Sequence, residues 1–135
     1  MDQYKHSPLT KEIINAFYKV YNTLGCGFLE KVYERALAHE LIKRGFQVEE
    51  QIPIKVYYEE VVVGEYFADL LVNGSVIVEL KSCETLIEAH KAQLLNYLKA
   101  TGIEVGLILN FGPKPQISRR IYEISRQTGP RLKNA

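Results

Sequence analysis

Hydrophobic residues recur along the chain with two different periods, and the period in each stretch predicts a helix or a strand. Apolar residues at helical spacing predict a first helix that begins at Ser7-Pro8, with Ser7 as its N-cap, and ends before Gly25. The same spacing predicts a second helix over about residues 28–44. The predicted buried stripes are Ile13, Ile14, Phe17, Val20, Tyr21 and Leu24 in the first helix and Leu29, Val32, Tyr33, Ala36, Leu37 and Leu41 in the second.

Three stretches rich in β-branched and aromatic residues follow and predict three strands. The first, residues 52–58, alternates between apolar and polar positions and contains Pro53, which is typical of a strand start or a sheet edge. The second and third, residues 64–72 and 76–83, flank Asn73-Gly74, which is a strong β-hairpin signal.

The rest of the chain predicts one more helix, over about residues 86–100, and one more strand. Residues 105–111 are almost continuously apolar, as in a strand that is covered on both faces. Residues 117–125 are compatible with an edge strand or with a short helix. Because a helix joins the third and fourth strands, we expect a parallel crossover and a mixed sheet with helices on both sides.

The hairpin turn decides which face of the sheet carries the charged residues. A two-residue turn would place Asp69 and Glu79 on opposite faces, whereas a three-residue loop with a left-handed glycine sets them opposite each other on one face. Only the second register also collects the apolar residues on one buried face. These are Tyr66, Ala68, Leu70, Val72, Val76, Val78 and Leu80. We therefore predict the three-residue loop, with Asp69, Glu79 and Lys81 together on the other face.

Two facing carboxylates repel each other, and a divalent cation relieves the repulsion. Carboxylate oxygens with water suit Mg²⁺ or Mn²⁺, and the chain has no Cys/His cluster of the kind that holds structural zinc. Lys81 can orient a water molecule or stabilise charge that develops on a phosphate. The residues alone leave a second interpretation open, namely a cross-strand salt bridge on a solvated face.

Polar candidates also lie on two predicted helices. Glu30 is at the margin of an apolar stripe, although an acid in a first turn also suits the helix dipole without further function. His90, Gln93 and Tyr97 form one row along the third helix. Alternatively, Tyr97 packs in the core while His90 and Gln93 are ordinary surface groups.

Composition and charge limit the class of protein. The 135 residues are 47% hydrophobic and 24% charged, which fits one soluble domain, and no apolar run reaches the length of a membrane span. Without a recognisable export signal, we expect Cys26 and Cys83 to be reduced thiols in the cytoplasm.

The net charge of +1 is unevenly distributed. Residues 1–111 hold 11 Lys and Arg against 15 Asp and Glu, whereas residues 112–135 hold six Lys and Arg against Glu123 alone. This basic tail, which includes Arg119 and Arg120, suits contact with a phosphate backbone. A solvated and frayed C-terminus is the alternative.

The order of elements and motifs resembles the PD-(D/E)XK nuclease superfamily over about residues 13–112. Asp69 and the run Glu79-Leu80-Lys81 match its motif, with Ala68 in place of the proline. The run from Gln93 to Tyr97 resembles the Q-x-x-x-Y motif of the RecB-like exonuclease branch. The run from Gly27 through Glu30 to Tyr33 resembles the signature of the GxxExxY protein family.

The resemblance implies a restriction-endonuclease-like αβββαβ core with an extra N-terminal helix, in a single domain spanning residues 1–135. It also implies that Asp69, Glu79 and the Leu80 carbonyl bind Mg²⁺ or Mn²⁺, and that Glu30 reaches the ion directly or through water.

By the same resemblance, Lys81 would orient the attacking water or stabilise the phosphate, and Gln93 and Tyr97 would position the site or contact the nucleic acid. We therefore expect a metal-dependent deoxyribonuclease, with RNA as an alternative substrate. A catalytically silent nucleic-acid-binding or accessory module on the same scaffold is the competing hypothesis. Because the core is small, specificity is expected to come from a homodimer or a protein partner.

Overall fold

A computed structural model describes residues 6–123 of the chain. These residues form three helices and five strands. In chain order the elements are α1 (Ser7–Leu24), α2 (Glu30–Lys43), β1 (Val48–Tyr58), β2 (Val61–Val72), β3 (Val76–Lys81), α3 (Glu88–Thr101), β4 (Val105–Phe111) and β5 (Pro115–Ile121). The predicted basic tail beyond Glu123 lies outside the described residues.

The five strands form one mixed sheet in the order β1-β2-β3-β4-β5. Strands β1, β2 and β3 are antiparallel neighbours, β4 runs parallel to β3, and β5 runs antiparallel to β4. Helix α3 joins the parallel pair, as a parallel connection requires. The predicted αβββαβ core is therefore confirmed as α2-β1-β2-β3-α3-β4, with α1 before it and β5 added at one edge.

Helices cover both faces of the sheet and bury two apolar clusters. On the α1 and α2 side, the Tyr33 ring stacks on Phe111 with centroids 4.3 Å apart, and Phe17 meets Phe111 edge-on at 4.7 Å. On the other side, α3 packs through Leu94 and Leu98. Each fully buried side chain of this size contributes roughly 1.5–3 kcal/mol, so these contacts hold the helices against the sheet. None of the described helices has the length and hydropathy of a membrane span.

The predicted hairpin register is confirmed, because Val72 pairs with Val76. Asn73 and Gly74 have φ angles of 53° and 63°, in the left-handed region that Asn and Gly tolerate best. The Ser75 N–H donates a hydrogen bond to the Val72 carbonyl at 2.9 Å. The turn is thus the three-residue loop that brings the charged residues of both strands to the same side.

The prediction of a single apolar face along β2 is wrong at its outer end. Leu70 and Val72 pack under α1 and α2, but Ala68 belongs to the cluster under α3. The change of face occurs at Asp69, between the β1–β2 pairs Glu50–Leu70 and Ile52–Ala68, which also enclose Gln51. Gln51 has a φ of 54°, and a left-handed residue departs from the extended conformation on which strict alternation depends.

Helix α2 is rotated relative to its predicted stripe. Tyr33 and Leu37 are buried as predicted, but Leu29 is 81% exposed and Val32 is 40% exposed. Glu34 turns inward instead and is only 4% exposed. Consecutive residues of a helix are only about 100° apart around its axis. Helical periodicity alone therefore does not fix how far the helix is rotated toward the sheet.

The structure corrects the predicted start of α1 and decides between the two possibilities for residues 117–125. The N-cap of α1 is His6, not Ser7, and no side-chain hydrogen bond caps the helix, although Pro8 lies in the first turn as predicted. Of the two possibilities for residues 117–125, the strand is observed, as β5 at the sheet edge. The first part of the basic C-terminal segment therefore belongs to the sheet.

Candidate functional site

Asp69 and Glu79 meet where β2 and β3 separate. The described ladder between these strands ends at the pair Leu70–Val78. Beyond it, the Asp69 N–H donates to Glu79 Oε2 at 2.8 Å, and the Leu80 N–H donates to Asp69 Oδ2 at 2.8 Å. The carboxylates take the place of main-chain acceptors and satisfy amide groups that the separated strands would otherwise leave unpaired. The predicted juxtaposition of the two acids is confirmed.

Both carboxylates lie where negative charge is disfavoured. Glu79 is only 8% exposed, and its burial, followed by the charge of Asp69, raises its pKa to about 8. Burial also raises the pKa of Asp69, with the charges of Glu34 and Glu30 acting in the same direction. The fully ionised form of the pair is therefore disfavoured in the metal-free protein, and a bound cation would stabilise it.

Lys81 lies two residues beyond Glu79 in β3, on the same side of the strand. Its positive charge opposes the rise in the pKa of Glu79. For His90, burial lowers the pKa and the charge of Lys81 lowers it further. Within residues 6–123 no ion pair of Lys81 is found. The cross-strand salt bridge, the alternative interpretation of these three charges, is therefore not observed, and the ammonium group can act on a ligand.

Glu30 reaches the same region from the first residue of α2. Its Oε2 accepts a hydrogen bond from the Ser82 N–H at 3.3 Å, immediately after the end of β3. Its charge raises the pKa of both Asp69 and Glu79. Three acids from three elements thus influence one another around the end of β3.

Tyr33 holds the loop that presents Glu30. The Tyr33 hydroxyl donates to the Gly25 carbonyl at 2.5 Å and accepts from the Phe28 N–H at 3.2 Å. Its ring is fully buried against Phe111. Because one side chain anchors both the core and the loop, the start of α2 is directed at the sheet.

Asn110 is a residue of the site that our sequence analysis missed. It is 0% exposed in β4, where it accepts a hydrogen bond from the Cys83 N–H and donates one to the Cys83 carbonyl, both at 3.0 Å. It also donates to Gln116 Oε1 at 2.9 Å. This clamp fixes the chain just after Lys81. The sequence did contain a signal for this role, because Asn110 is a single amide side chain in an otherwise apolar strand. A buried amide needs hydrogen-bond partners, so such a residue is expected to bind a neighbouring segment.

Glu34 was also missed, although its i,i+4 spacing from Glu30 places both on one face of α2. Gln51 Nε2 donates to Glu34 Oε1 at 2.9 Å and lies 3.4 Å from Asp69 Oδ1. Lys31 Nζ contacts Glu34 Oε2 at 3.1 Å. Gln51 therefore links a buried acid of α2 to the acid pair.

Replacing Gln51 by Met should destabilise the metal-free protein by about 1–3 kcal/mol, because it removes one amide that donates to two carboxylates, at Glu34 Oε1 and Asp69 Oδ1. Lys31→Met is the matched control, since it removes the other donor to the Glu34 carboxylate. Lys31 is 59% exposed, so the expected loss is about 0–1 kcal/mol. Urea denaturation in EDTA measures both, and equal losses would contradict the prediction.

The predicted polar row on α3 divides into different roles. His90 Nδ1 accepts a hydrogen bond from the Ile87 N–H at 3.2 Å, so this side chain caps the helix. Tyr97 is 6% exposed and packs in the core. Burial, followed by the charges of Glu79 and Asp69, raises its pKa to about 12. The contact of Gln93 and Tyr97 with nucleic acid stays a prediction.

Arg119 and Arg120 are not brought to the acid pair. They lie on β5, two strands away from β3, and pair with Leu107 and Gly106 of β4. Lys81 is level with a different part of β4, at Asn110. Their contact with nucleic acid, if made, would occur at the edge of the sheet.

The donor set at the acid pair suits one kind of ion. Within the described residues, no group of three or more His, Cys, Asp and Glu side chains is arranged to hold a metal. Mg²⁺ does not need such a group, because it keeps several waters and binds through one or two carboxylates. In that part of the chain Glu79 Oε1 has no hydrogen bond, so Asp69 and Glu79 fit this requirement.

Comparison with known proteins gives the family. A sequence profile of the PD-(D/E)XK nuclease superfamily matches residues 7–129. The crystal structure of SSO0001 is similar with a TM-score of 0.52 at 19% identity, covering 67% of this chain and 48% of that one. An alkaline exonuclease from Laribacter hongkongensis gives a TM-score of 0.45 at 15% identity, covering 70% and 57%.

The chain matches about half the length of these two structures, and no curated protein matches it. The similarity to SSO0001 supports the fold, and the profile match extends over most of the sequence. The chain therefore belongs to the PD-(D/E)XK nuclease superfamily.

Proposed function

We propose that the protein is a metal-dependent nuclease that hydrolyses phosphodiester bonds of DNA in the cytoplasm, with Mg²⁺ or Mn²⁺ as its cofactor. The observation that carries the proposal is the pair formed by half-buried Asp69 and buried Glu79, whose pKa values are both raised, with Lys81 beside it. A protein that only bound nucleic acid would gain nothing from buried negative charge where a phosphate has to approach.

In this proposal Asp69, Glu79 and the Leu80 carbonyl hold the cation. The bound ion would supply a water molecule of lowered pKa and would neutralise charge on the phosphate. Lys81 directs its ammonium group at the same phosphate and stabilises the negative charge that grows during attack. Glu30, fixed by the Ser82 N–H, adds an acceptor for water at the edge of the site.

We also propose that the chain is a GxxExxY protein of the RecB-like branch. The Glu and the Tyr of that signature are Glu30 and Tyr33. Their pairing has a physical reason in this fold, because Tyr33 holds the loop from which Glu30 projects. Gln93 would contact the substrate from α3.

Cleavage of labelled single- and double-stranded DNA tests the function. We expect products with Mg²⁺ or Mn²⁺, none in EDTA, and a loss of about 100-fold or more in Lys81→Met. Calorimetric titration of Mn²⁺ gives a second readout and should show binding to the wild type and to Lys81→Met, but not to Asp69→Asn.

Two outcomes would count against the proposal. Equal cleavage by wild type and Lys81→Met would identify a contaminating nuclease. Absence of cleavage with either ion would favour the accessory-module hypothesis, which predicts salt-sensitive DNA binding that is unchanged when Asp69 is neutralised.

A further inference from the structure

We propose that the cavity between α3 and the β1–β2 ribbon binds one unstacked nucleobase, so that the substrate is presented as a single strand or a frayed end. This inference rests on the proposed nuclease function and names the substrate form that the site accepts. The cavity measures about 540 Å³. That volume suits one small ligand. A base can enter a recess between a helix and a sheet only after it has left the stack of its neighbours.

Small side chains on α3 keep the cavity open. Ala89, Ala92 and Ala100 line it from the helix, at spacings that place them along one side of α3. The opposing surface is apolar and belongs to β1, where Ile54 is fully buried and Val56 lies nearby. A flat apolar ring fits between such surfaces.

Two tyrosine rings form the aromatic part of the lining. Tyr66 is 46% exposed, and its ring centroid lies 5.8 Å from that of the buried Tyr97, with the planes inclined by 44°. The exposed ring therefore has a supported position and a free surface. Stacking of a base on such a ring contributes about 1–3 kcal/mol and is tolerant of sequence.

Polar groups converge on the same cavity. The amides of Gln93 and Asn96 and the ammonium of Lys99 line it, and none of the three has a side-chain hydrogen bond or ion pair among the described residues. An amide can both donate to and accept from a base edge. Lys99 supplies positive charge for the attached phosphate.

The cavity lies near the acid pair along β2, because Tyr66 lines the cavity and precedes Asp69 by three residues, about 10 Å along the strand. Tyr97 lines the cavity, and the charges of Glu79 and Asp69 act on its hydroxyl. A strand whose base occupies the cavity would therefore carry its backbone toward the acids.

Fluorescence anisotropy with a labelled ten-nucleotide oligothymidine tests the cavity in EDTA, in chains that all carry Glu79→Gln to prevent cleavage. Tyr66→Ala and Ala92→Phe should each raise the Kd about tenfold or more, the first by removing the stacking surface and the second by filling the space. Ala92 is exposed, so the fold tolerates the larger ring. Tyr58→Ala is the matched control, because Tyr58 is a 67% exposed tyrosine on β1 that does not line the cavity.

The inference is overturned if the two cavity variants bind like the parent, if Tyr58→Ala weakens binding as much, or if the parent prefers a blunt duplex of the same length. Cleavage assays on chains with intact Glu79 separate this result from the proposed function. Absent cleavage together with a cavity effect would reject the nuclease alone, and cleavage without a cavity effect would reject the cavity alone.

Discussion

Glu79→Gln should abolish nuclease activity while making the metal-free protein more stable at pH 8. Activity should fall about a thousandfold, because the substitution removes a charge that holds the cation at the site of attack. Stability should rise because Glu79 is 8% exposed and has a pKa of about 8, so its ionised form is disfavoured in the folded protein. A glutamine oxygen can still accept the Asp69 N–H.

The pH dependence has a defined sign. The folded-state pKa of Glu79 is raised above the ordinary value of 4.5, so the folded protein holds a proton that the unfolded chain has lost. The contribution of Glu79 to the stability of the metal-free wild type is therefore full below about pH 4.5 and is lost as the pH rises toward 8. Thermal melts in EDTA should converge for wild type and Glu79→Gln at pH 5 and diverge by several degrees at pH 8.

Glu65→Gln provides the control for this experiment, because Glu65 is an exposed acid on the neighbouring strand β2. It should change neither activity nor the slope of stability against pH. The contrary result is a stability that falls with pH in Glu79→Gln as steeply as in the wild type. That result would show that ionisation of Glu79 does not destabilise the folded protein, and it would remove the electrostatic argument for a cation beside this residue.

Gly112→Ala should destabilise the protein by about 3 kcal/mol or more, because the added methyl group collides with the main chain. A Cβ at Gly112 would stand 1.9 Å from the Cys83 carbonyl oxygen. That oxygen cannot move freely, because Asn110 holds it by a hydrogen bond at 3.0 Å. The main chain after β3 would therefore have to shift, and the melting temperature should fall by roughly 10 °C.

Gly74→Ala is the control for this clash, because it also replaces a glycine by alanine but causes only backbone strain. Gly74 has a φ of 63° but no heavy atom within 4 Å of an added Cβ, so only backbone strain of about 1 kcal/mol is expected. Chemical denaturation measures both variants. A Gly112→Ala protein as stable as Gly74→Ala would show that the close approach to Cys83 can relax without cost.

Much of the fold follows from local patterns in the sequence. The helical spacing of apolar residues in α1, the uniformly apolar run of β4 and the Asn73-Gly74 turn each restrict the chain to one local structure. The hairpin register restricts it further, because a shift by one residue would place Asp69 and Glu79 on opposite faces of the sheet. That reasoning alone correctly placed Asp69 across from Glu79.

The rest of the site depends on contacts between segments that are distant in the sequence. Glu34 turns inward because Gln51, on another element, supplies a donor at 2.9 Å, and the helical pattern of α2 carries no information about that donor. Asn110 likewise looks like an interruption of an apolar strand until Cys83 approaches it. Buried polar groups are tolerated only with partners, and partners are assigned by packing.

The sequence by itself determined the order of the elements, the register of the hairpin and the side of the sheet on which two acids and a lysine meet. These features follow from strand alternation and helical periodicity, which depend only on residues close together in the sequence. Tertiary structure alone decided the rotation of α2, the change of face at Ala68 and the cavity bordered by Tyr66. Each of these depends on how helices pack on a twisted sheet, where side chains from separate elements compete for the same space.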